Sequence, residues 1–179
     1  IYELKTNVEA DDYSDIAEFI DVLSNMPETD FKCAIEGVFN VADYLKVQAL
    51  DVVSGNWAGY AGSANNFYLY HNPQTGLFDY IPYDLDNTWG IDFLDGNWEA
   101  RDPYAWSPEF RLLYERLMAV PEYREWYTYY LQRMVDDWAH PDSVSAYLAP
   151  RHAMLMPAIE ADAYYPLSHG FTTVDFEGS

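Results

Sequence analysis

Two aspartates, Asp84 and Asp86, lie near the end of an aromatic-rich stretch that runs from Asn65 to Gly90 and reads NNFYLYHNPQTGLFDYIPYDLDNTWG. On an extended strand, residues i and i+2 face the same side with side chains roughly 7 Å apart, so both carboxylates could reach one cation or one substrate. The alternative is a turn, because Asp and Asn accept hydrogen bonds from neighbouring backbone and often end strands. The residues alone leave both interpretations open.

Two standard uses of such acids do not fit this stretch. A calcium-binding EF-hand loop that began at Asp84 would need Gly at position 6 and Glu at position 12, where the chain has Trp89 and Asp95. Glycoside hydrolysis needs carboxyl groups on opposite sides of the bond, whereas two acids on one strand approach a sugar from the same side. Both uses are therefore disfavoured.

The other reactive residues form no recognised catalytic pattern. The histidines are scattered without the spacing of a zinc site, at His71, His140, His152 and His169. The sequence has no G-x-S-x-G, and its Gly-rich stretch SGNWAGYAGS lacks the lysine of a phosphate-binding P-loop. The single cysteine, Cys33, lies in an apolar helical pattern, so we expect a buried thiol and no internal disulfide.

The chain is acidic along its whole length. Its formal net charge is −21, from 30 Asp and Glu against 9 Lys and Arg. This charge repels phosphate backbones and disfavours nucleic acid as a partner, whereas it attracts metal cations. No apolar run approaches the roughly 18 residues of a membrane span, and no signal peptide is visible. The 179 residues, half of them hydrophobic, fit one domain or a large lobe of one.

Three helices are predicted before the aromatic stretch. The first, in DYSDIAEFIDVLSNMP, has Ser14 as its N-cap, and the second covers residues 29–38. The third, in NVADYLKVQALDVVSGN, is capped by Asn40 and stopped by Gly55. Its spacing predicts a buried face formed by Tyr44, Val47, Leu50 and Val53.

A β-hairpin and further helices follow. Two aromatic runs separated by HNPQTG predict a hairpin near residues 66–83, which ends at Pro82 because proline cannot donate a ladder hydrogen bond. Helices are predicted again with Ser107 as N-cap, from Pro121, and over residues 142–163. The last of these helices is expected to be interrupted or kinked near Pro150 and Pro157. The fold class is therefore α+β and mostly helical, with one hairpin whose loops hold the polar residues.

The succession LDVVSGNWAGY, NNFYLY, TGLF and YIPYDLDNTWG resembles the CotH kinase family, the spore-coat protein H group of atypical, secreted or surface-associated protein kinases. The family pattern reads GNxDxY, then NxYLY, a turn, and IPWDxDxTWG. The resemblance covers roughly residues 10–140, and it implies a protein-kinase-like fold of which this chain is the larger C-terminal lobe. A secreted or cell-surface location is implied as well.

The resemblance also assigns roles to polar residues. Asn66 matches a magnesium-binding asparagine, Asp84 matches the aspartate that holds Mg²⁺ on the phosphates of ATP, and Asp86 is a supporting ligand. Ala58 stands where the family has its catalytic aspartate, and a methyl group accepts no proton. This indicates a natural pseudokinase, an inactivating substitution, or a shifted loop in which another acid serves, such as Asp51. We expect impaired transfer with metal and nucleotide binding kept.

The chain is expected to be a fragment. We interpret residues 1–179 as a single domain whose N-terminal lobe and C-terminal end are missing, because it begins with Ile1 and stops at Ser179 after a turn-like segment. In kinases the lysine that contacts the phosphates belongs to the N-terminal lobe. No lysine here has a matching strand context, so the fragment alone should bind nucleotide poorly.

The leading hypothesis is transfer of the ATP γ-phosphate to Ser or Thr of a secreted or coat protein. The alternative is an inactive surface adhesin or scaffold, with a partner surface formed by the rings of Trp89, Trp98, Tyr104 and Trp106. A third reading, a carbohydrate-active enzyme, requires an opposed acid pair that the sequence does not show. No nucleic acid partner and no membrane span in this fragment are expected.

Overall fold

The computed structural model describes residues 3–91, 96–164 and 172–177. Asp95 and His169, considered above, lie outside these ranges. The chain divides into two units, Ile1–Met134 and Val135–Ser179, and each is described by itself. That residues 1–179 form a single domain fragment stays a prediction.

The first unit is mainly helical. Its α-helices are α1 Ser14–Asn25, α2 Glu28–Glu36, α3 Val41–Ser54, α4 Tyr60–Ser63, α5 Leu112–Met118 and α6 Pro121–Arg133. Its strands are β1 Phe67–Asn72 and β2 Leu77–Pro82. Short 3-10 helices cover Val8–Ala10, Trp98–Ala100 and Pro103–Ala105. The mostly helical α+β class with a single hairpin among the described residues is confirmed.

Helix α3 is the central element, because it packs against both α6 and β2. Its predicted ends are confirmed: the Asn40 side chain accepts from the backbone N–H of Asp43, and Gly55 leaves the helix at φ 71°. The left-handed conformation at Gly55 costs little because glycine has no Cβ.

The predicted buried face of α3 is wrong in part. Tyr44 is buried, but Val47, Leu50 and Val53 are only half-buried. The fully buried residues of the helix are Val41, Tyr44, Leu45, Gln48, Ala49, Asp51 and Ser54. The physical reason is that α3 has packing partners on two sides, and polar residues on its inner side find hydrogen-bond partners there.

The hairpin is confirmed. Its register pairs Phe67 with Pro82, Leu69 with Tyr80 and Asn72 with Leu77. One face packs into the core, where the Phe78 ring lies 5.5 Å from that of Phe19. The outer edge of β2 is fastened by two hydrogen bonds, from the Phe78 N–H to the Val38 carbonyl and from the Asn40 N–H to the Phe78 carbonyl. These contacts fix the hairpin on the helical core.

Two predicted N-caps are wrong. Ser14 is the first residue of α1, and its backbone N–H is accepted by the Asp12 carboxylate at 2.9 Å. Ser107 does not cap a helix, because its hydroxyl donates to the carbonyl of Glu109, and α5 begins only at Leu112. By contrast, Pro121 is at the first helical position of α6 as predicted.

Two burial expectations also fail. Cys33 is exposed on α2, since the buried side of that helix is formed by Phe31 and Ile35. Trp106 is fully buried at 1% exposure and cannot belong to a partner surface, whereas Trp89 is 58% exposed. The proposed ring surface therefore loses one of its four members.

The second unit contains α7 Pro141–Ala161 and α8 Thr173–Glu177, preceded by a π-helical turn over Met134–Trp138. Helix α7 agrees with the predicted bounds of residues 142–163 to within two residues, and the helix runs through Pro150 and Pro157 without an interruption. Within this unit, the His152 ring stacks on Phe176 with 4.3 Å between ring centroids. In the described part of the chain, no helix combines the length and the apolar character of a membrane span.

Candidate functional site

The open end of the hairpin brings Asn66 close to Asp84 in the backbone. The Asn66 carbonyl accepts the N–H of Tyr83 at 3.0 Å, one position beyond the last strand pair, and Asp84 is the next residue. Both residues have left-handed backbones, with φ 52° at Asn66 and 55° at Asp84. Asn and Asp are the non-glycine residues that adopt this conformation most readily. The pairing of the two strands therefore ends at Asn66 and Asp84, and Asp84 is exposed whereas Asn66 is half-buried.

The strand argument for Asp84 and Asp86 is wrong. Strand β2 ends at Pro82, and the positive φ of Asp84 interrupts the extended alternation, so the two acids do not share a strand face. The Asp86 carboxylate accepts from its neighbour, the Asn87 side-chain amide, at 2.9 Å. The turn alternative thus describes the local backbone, and the roles of both acids as metal ligands stay predictions.

The donor set at this end fits Mg²⁺ in chemistry. Asn66 offers an amide oxygen and the two aspartates offer carboxylates, all hard oxygen ligands. Among the described residues, no group of three or more His, Cys, Asp and Glu is placed to hold a metal. Mg²⁺ is commonly held by one or two carboxylates together with substrate phosphates.

The second part of the site is the loop from Gly55 to Gly59, which carries Ala58. The Asn56 amide donates to the Asp51 carboxylate at 2.8 Å, and the Asn56 side-chain oxygen accepts the backbone N–H of Ala58 at 3.1 Å. The backbone N–H of Asn56 also donates to the Asp51 carbonyl at 2.7 Å. Asp51 and Asn56 are 4% and 2% exposed. A buried pair therefore determines the conformation of the loop.

Burial raises the pKa of Asp51 from 3.8 to about 7, and the hydrogen bond from Asn56 opposes this rise. Burial also raises the pKa of the nearby Tyr80 hydroxyl, which accepts the backbone N–H of Tyr60 at 3.4 Å. A carboxyl group that titrates near neutrality next to a candidate site is the kind of residue found at functional positions. From sequence, Asp51 needed an unusual turn to reach the loop, and Gly55 supplies that turn.

Two glycines allow the loop to pack this closely. A Cβ at Gly59 would lie 2.8 Å from the Asp51 carboxylate. A Cβ at Gly62 would lie only 2.0 Å from the carbonyl oxygen of Trp57. Ala58 is 4% exposed, and its carbonyl accepts the Ser63 hydroxyl at 2.8 Å. Hence the methyl group of Ala58 is enclosed.

The segment after the hairpin is hydrogen-bonded to the last residue of α3 and to the loop. The backbone N–H of Trp89 donates to the Ser54 carbonyl at 2.7 Å. The indole N–H of Trp57 donates to the Ile91 carbonyl at 2.8 Å. Because Asp84 and Asp86 lie at the start of this segment, the loop that carries position 58 and the candidate metal ligands belong to one local structure.

Among the described residues, the site thus consists of a helical core, one hairpin, and the loop beside the hairpin's open end. The chain belongs to the CotH kinase protein family, whose model matches residues 2–175. It is 29% identical over 163 residues to the inner spore coat protein H of Bacillus subtilis (strain 168). The aligned part covers 91% of this chain and 43% of that relative, so the chain spans less than half of the relative's length. The family predicted from the sequence is confirmed.

Proposed function

We propose that this chain is the metal- and phosphate-binding part of a CotH-type protein kinase. Asn66 and Asp84 hold Mg²⁺ at the open end of the hairpin, and Asp86 supports them. The observation that carries the proposal is the backbone hydrogen bond from Tyr83 to Asn66, because Asp84 follows Tyr83 and the two residues therefore stand where the paired strands end. Mg²⁺, when bound, neutralises the charge of ATP phosphates that the acidic protein would otherwise repel.

The reaction is transfer of the γ-phosphate to a Ser or Thr hydroxyl of a protein. The hydroxyl oxygen forms the new bond to phosphorus, the bond to the β-phosphate oxygen breaks, and ADP leaves. The hydroxyl proton must go to an acceptor, which in kinases is the catalytic aspartate. Ala58 has no acceptor atom in its side chain, so transfer by this chain is slow. The name of the Bacillus subtilis relative supports a coat or cell-surface protein as the phosphate acceptor.

A second candidate function is a scaffold that keeps the fold without transfer. It is favoured by the burial of Ala58, because a loop packed around a methyl group has no space prepared for a carboxylate. Such a protein would bind a coat or surface partner. The two functions differ in what an acid at position 58 would do.

The test is the variant Ala58→Asp in the full-length protein. Phosphate transfer from ATP to a library of Ser- and Thr-containing peptides is measured with and without Mg²⁺. The kinase proposal predicts a gain of about 100-fold or more in Mg²⁺-dependent transfer, the usual effect of a positioned proton acceptor. The double variant Ala58→Asp, Asp84→Ala should lose that gain. A folded Ala58→Asp protein that binds Mg²⁺ but transfers no phosphate supports the scaffold instead.

A further inference from the structure

The buried pair of Asp51 and Asn56 does more than stabilise a helix end. The Asp51 carboxylate lies on the last turn of α3, within the core, and the Asn56 amide is its hydrogen-bond donor. The other atom of the Asn56 amide, the oxygen, accepts from the backbone of Ala58. The Asn56 side chain thus links the end of α3 to the backbone of the loop by hydrogen bonds at both of its polar atoms.

The last residue of α3 and the loop are both bound to the segment that carries the candidate ligands. Ser54 and Trp57, on either side of Asn56, make the hydrogen bonds to Trp89 and Ile91. Asn56 is therefore part of the short stretch of chain that joins the two attachment points. Asn56 lies between Ser54 and Trp57 in sequence, and its partner Asp51 lies on the same last turn of α3 as Ser54.

We propose that Asp51 is a positioning residue, which through Asn56 holds the Gly55–Gly59 loop and thereby the segment of Asp84 and Asp86 in its metal-binding position. This inference rests on the proposed function for its consequence in metal binding. Its structural part, control of the segment's attachment, does not depend on that function. Residues that do not bind the metal but hold its ligands in position typically change metal affinity by about 10- to 100-fold when they are removed.

The disruptive variant is Asn56→Asp, studied at pH 7.5. It replaces the amide donor by a second carboxyl group at the same place, 2.8 Å from the Asp51 carboxylate, so that the two acids must either repel each other or retain a proton. We expect the backbone N–H of Trp89 to exchange with solvent at least about tenfold faster, because its attachment opens more often. We also expect the Kd for Mg²⁺, titrated as MgCl2 and followed by NMR, to rise about 10- to 100-fold.

The rescuing variant is the exchange Asp51→Asn with Asn56→Asp. The amide at position 51 then donates to the carboxylate at position 56, whose other oxygen still accepts the Ala58 N–H. We expect Trp89 exchange and the Kd for Mg²⁺ to return to within about threefold of the original values. A merely destabilising effect would not be reversed by swapping the two groups.

The matched control is Asn72→Asp at the other end of the hairpin. There the Asp79 carboxylate accepts from Asn72 and Asn40, each at 2.9 Å, so the variant also places two carboxylates against each other. It should destabilise the protein while leaving Trp89 exchange and Mg²⁺ affinity within about threefold of the original. An equal effect from this control would overturn the proposal, because the loss would then be general.

The outcomes separate the two claims. If the unchanged protein binds no Mg²⁺, the proposed function fails, and Trp89 exchange alone decides whether Asp51 positions the segment. If Mg²⁺ binds but folded Asn56→Asp leaves both readouts unchanged, the positioning role is wrong and the function stands. If Asn56→Asp does not fold, the exchanged double variant decides, and its failure to fold or to protect Trp89 overturns the inference.

Discussion

The buried carboxyl of Asp51 predicts a specific dependence of stability on pH, which the variant Asp51→Asn should remove. In the folded protein Asp51 is 4% exposed, and burial raises the pKa of its carboxyl to about 7, whereas the ordinary value is 3.8. Asparagine has the same shape, cannot ionise, and keeps an oxygen that accepts from the Asn56 amide. The comparison therefore isolates the cost of ionising one buried group.

The magnitude follows from the difference in pKa. Below pH 3.8 the carboxyl is protonated in both the folded and the unfolded protein, so it makes no contribution. As the pH rises towards 7, the unfolded chain releases the proton while the folded protein retains it, so the free energy of unfolding falls. Each pKa unit corresponds to about 1.4 kcal/mol, which gives a total loss of about 4 kcal/mol. From pH 5 to pH 8 the loss is about 3 kcal/mol.

The assay is urea unfolding of both proteins, followed by tryptophan fluorescence at several pH values from 5 to 8. The other acidic residues are common to both proteins, so their contributions cancel in the difference. The neighbouring Tyr44 and Tyr80 stay neutral in this range because burial raises their pKa values further. We expect the advantage of Asp51→Asn to grow with pH by about 3 kcal/mol. A difference that stays constant over this range would refute the reasoning.

Two further substitutions test the packing around the site. Gly62→Ala should lower the free energy of unfolding by about 3 kcal/mol or more, measured in urea, because its Cβ would lie 2.0 Å from the Trp57 carbonyl oxygen. The control Gly37→Ala, whose Cβ would have its nearest contact at 3.3 Å, should cost much less. Equal costs for the two variants would contradict the close packing at Gly62. Arg116→Met should lower the midpoint of thermal unfolding and the free energy of unfolding, the latter by about 2 to 3 kcal/mol. The reason is that the guanidinium donates to the carbonyls at the end of α1 and lies 3.8 Å from the centre of the Phe31 ring. A loss below about 0.5 kcal/mol would contradict this role.

Local signals in the sequence predicted most of the framework. Asn40 and Gly55 set the ends of α3 because capping and left-handed termination depend on single residues and their immediate neighbours. The hairpin was predictable for the same reason, from two aromatic runs, a turn, and Pro82 at the end. The order of these motifs was sufficient to predict the family.

Features that depend on tertiary partners were not predictable. The spacing of α3 could not show that Asp51 faces inward, because its burial depends on the Asn56 amide and on a close approach by Gly59. Likewise, the strand argument for Asp84 and Asp86 failed because a left-handed residue after Pro82 ends the alternation. In both cases the outcome is decided by irregular backbone that follows a helix or a strand.

The most direct test of the proposed function is a titration with MgCl2 followed by the backbone amide signals of Asn66 and Asp84. We predict saturable shifts at both residues, at least about tenfold weaker binding in Asp84→Ala, and unchanged binding in Asp30→Ala, an exposed acid on α2 whose loss changes the net charge equally. No saturable shift at these residues, or equal binding by Asp84→Ala and the unchanged protein, would contradict a magnesium site at the open end of the hairpin.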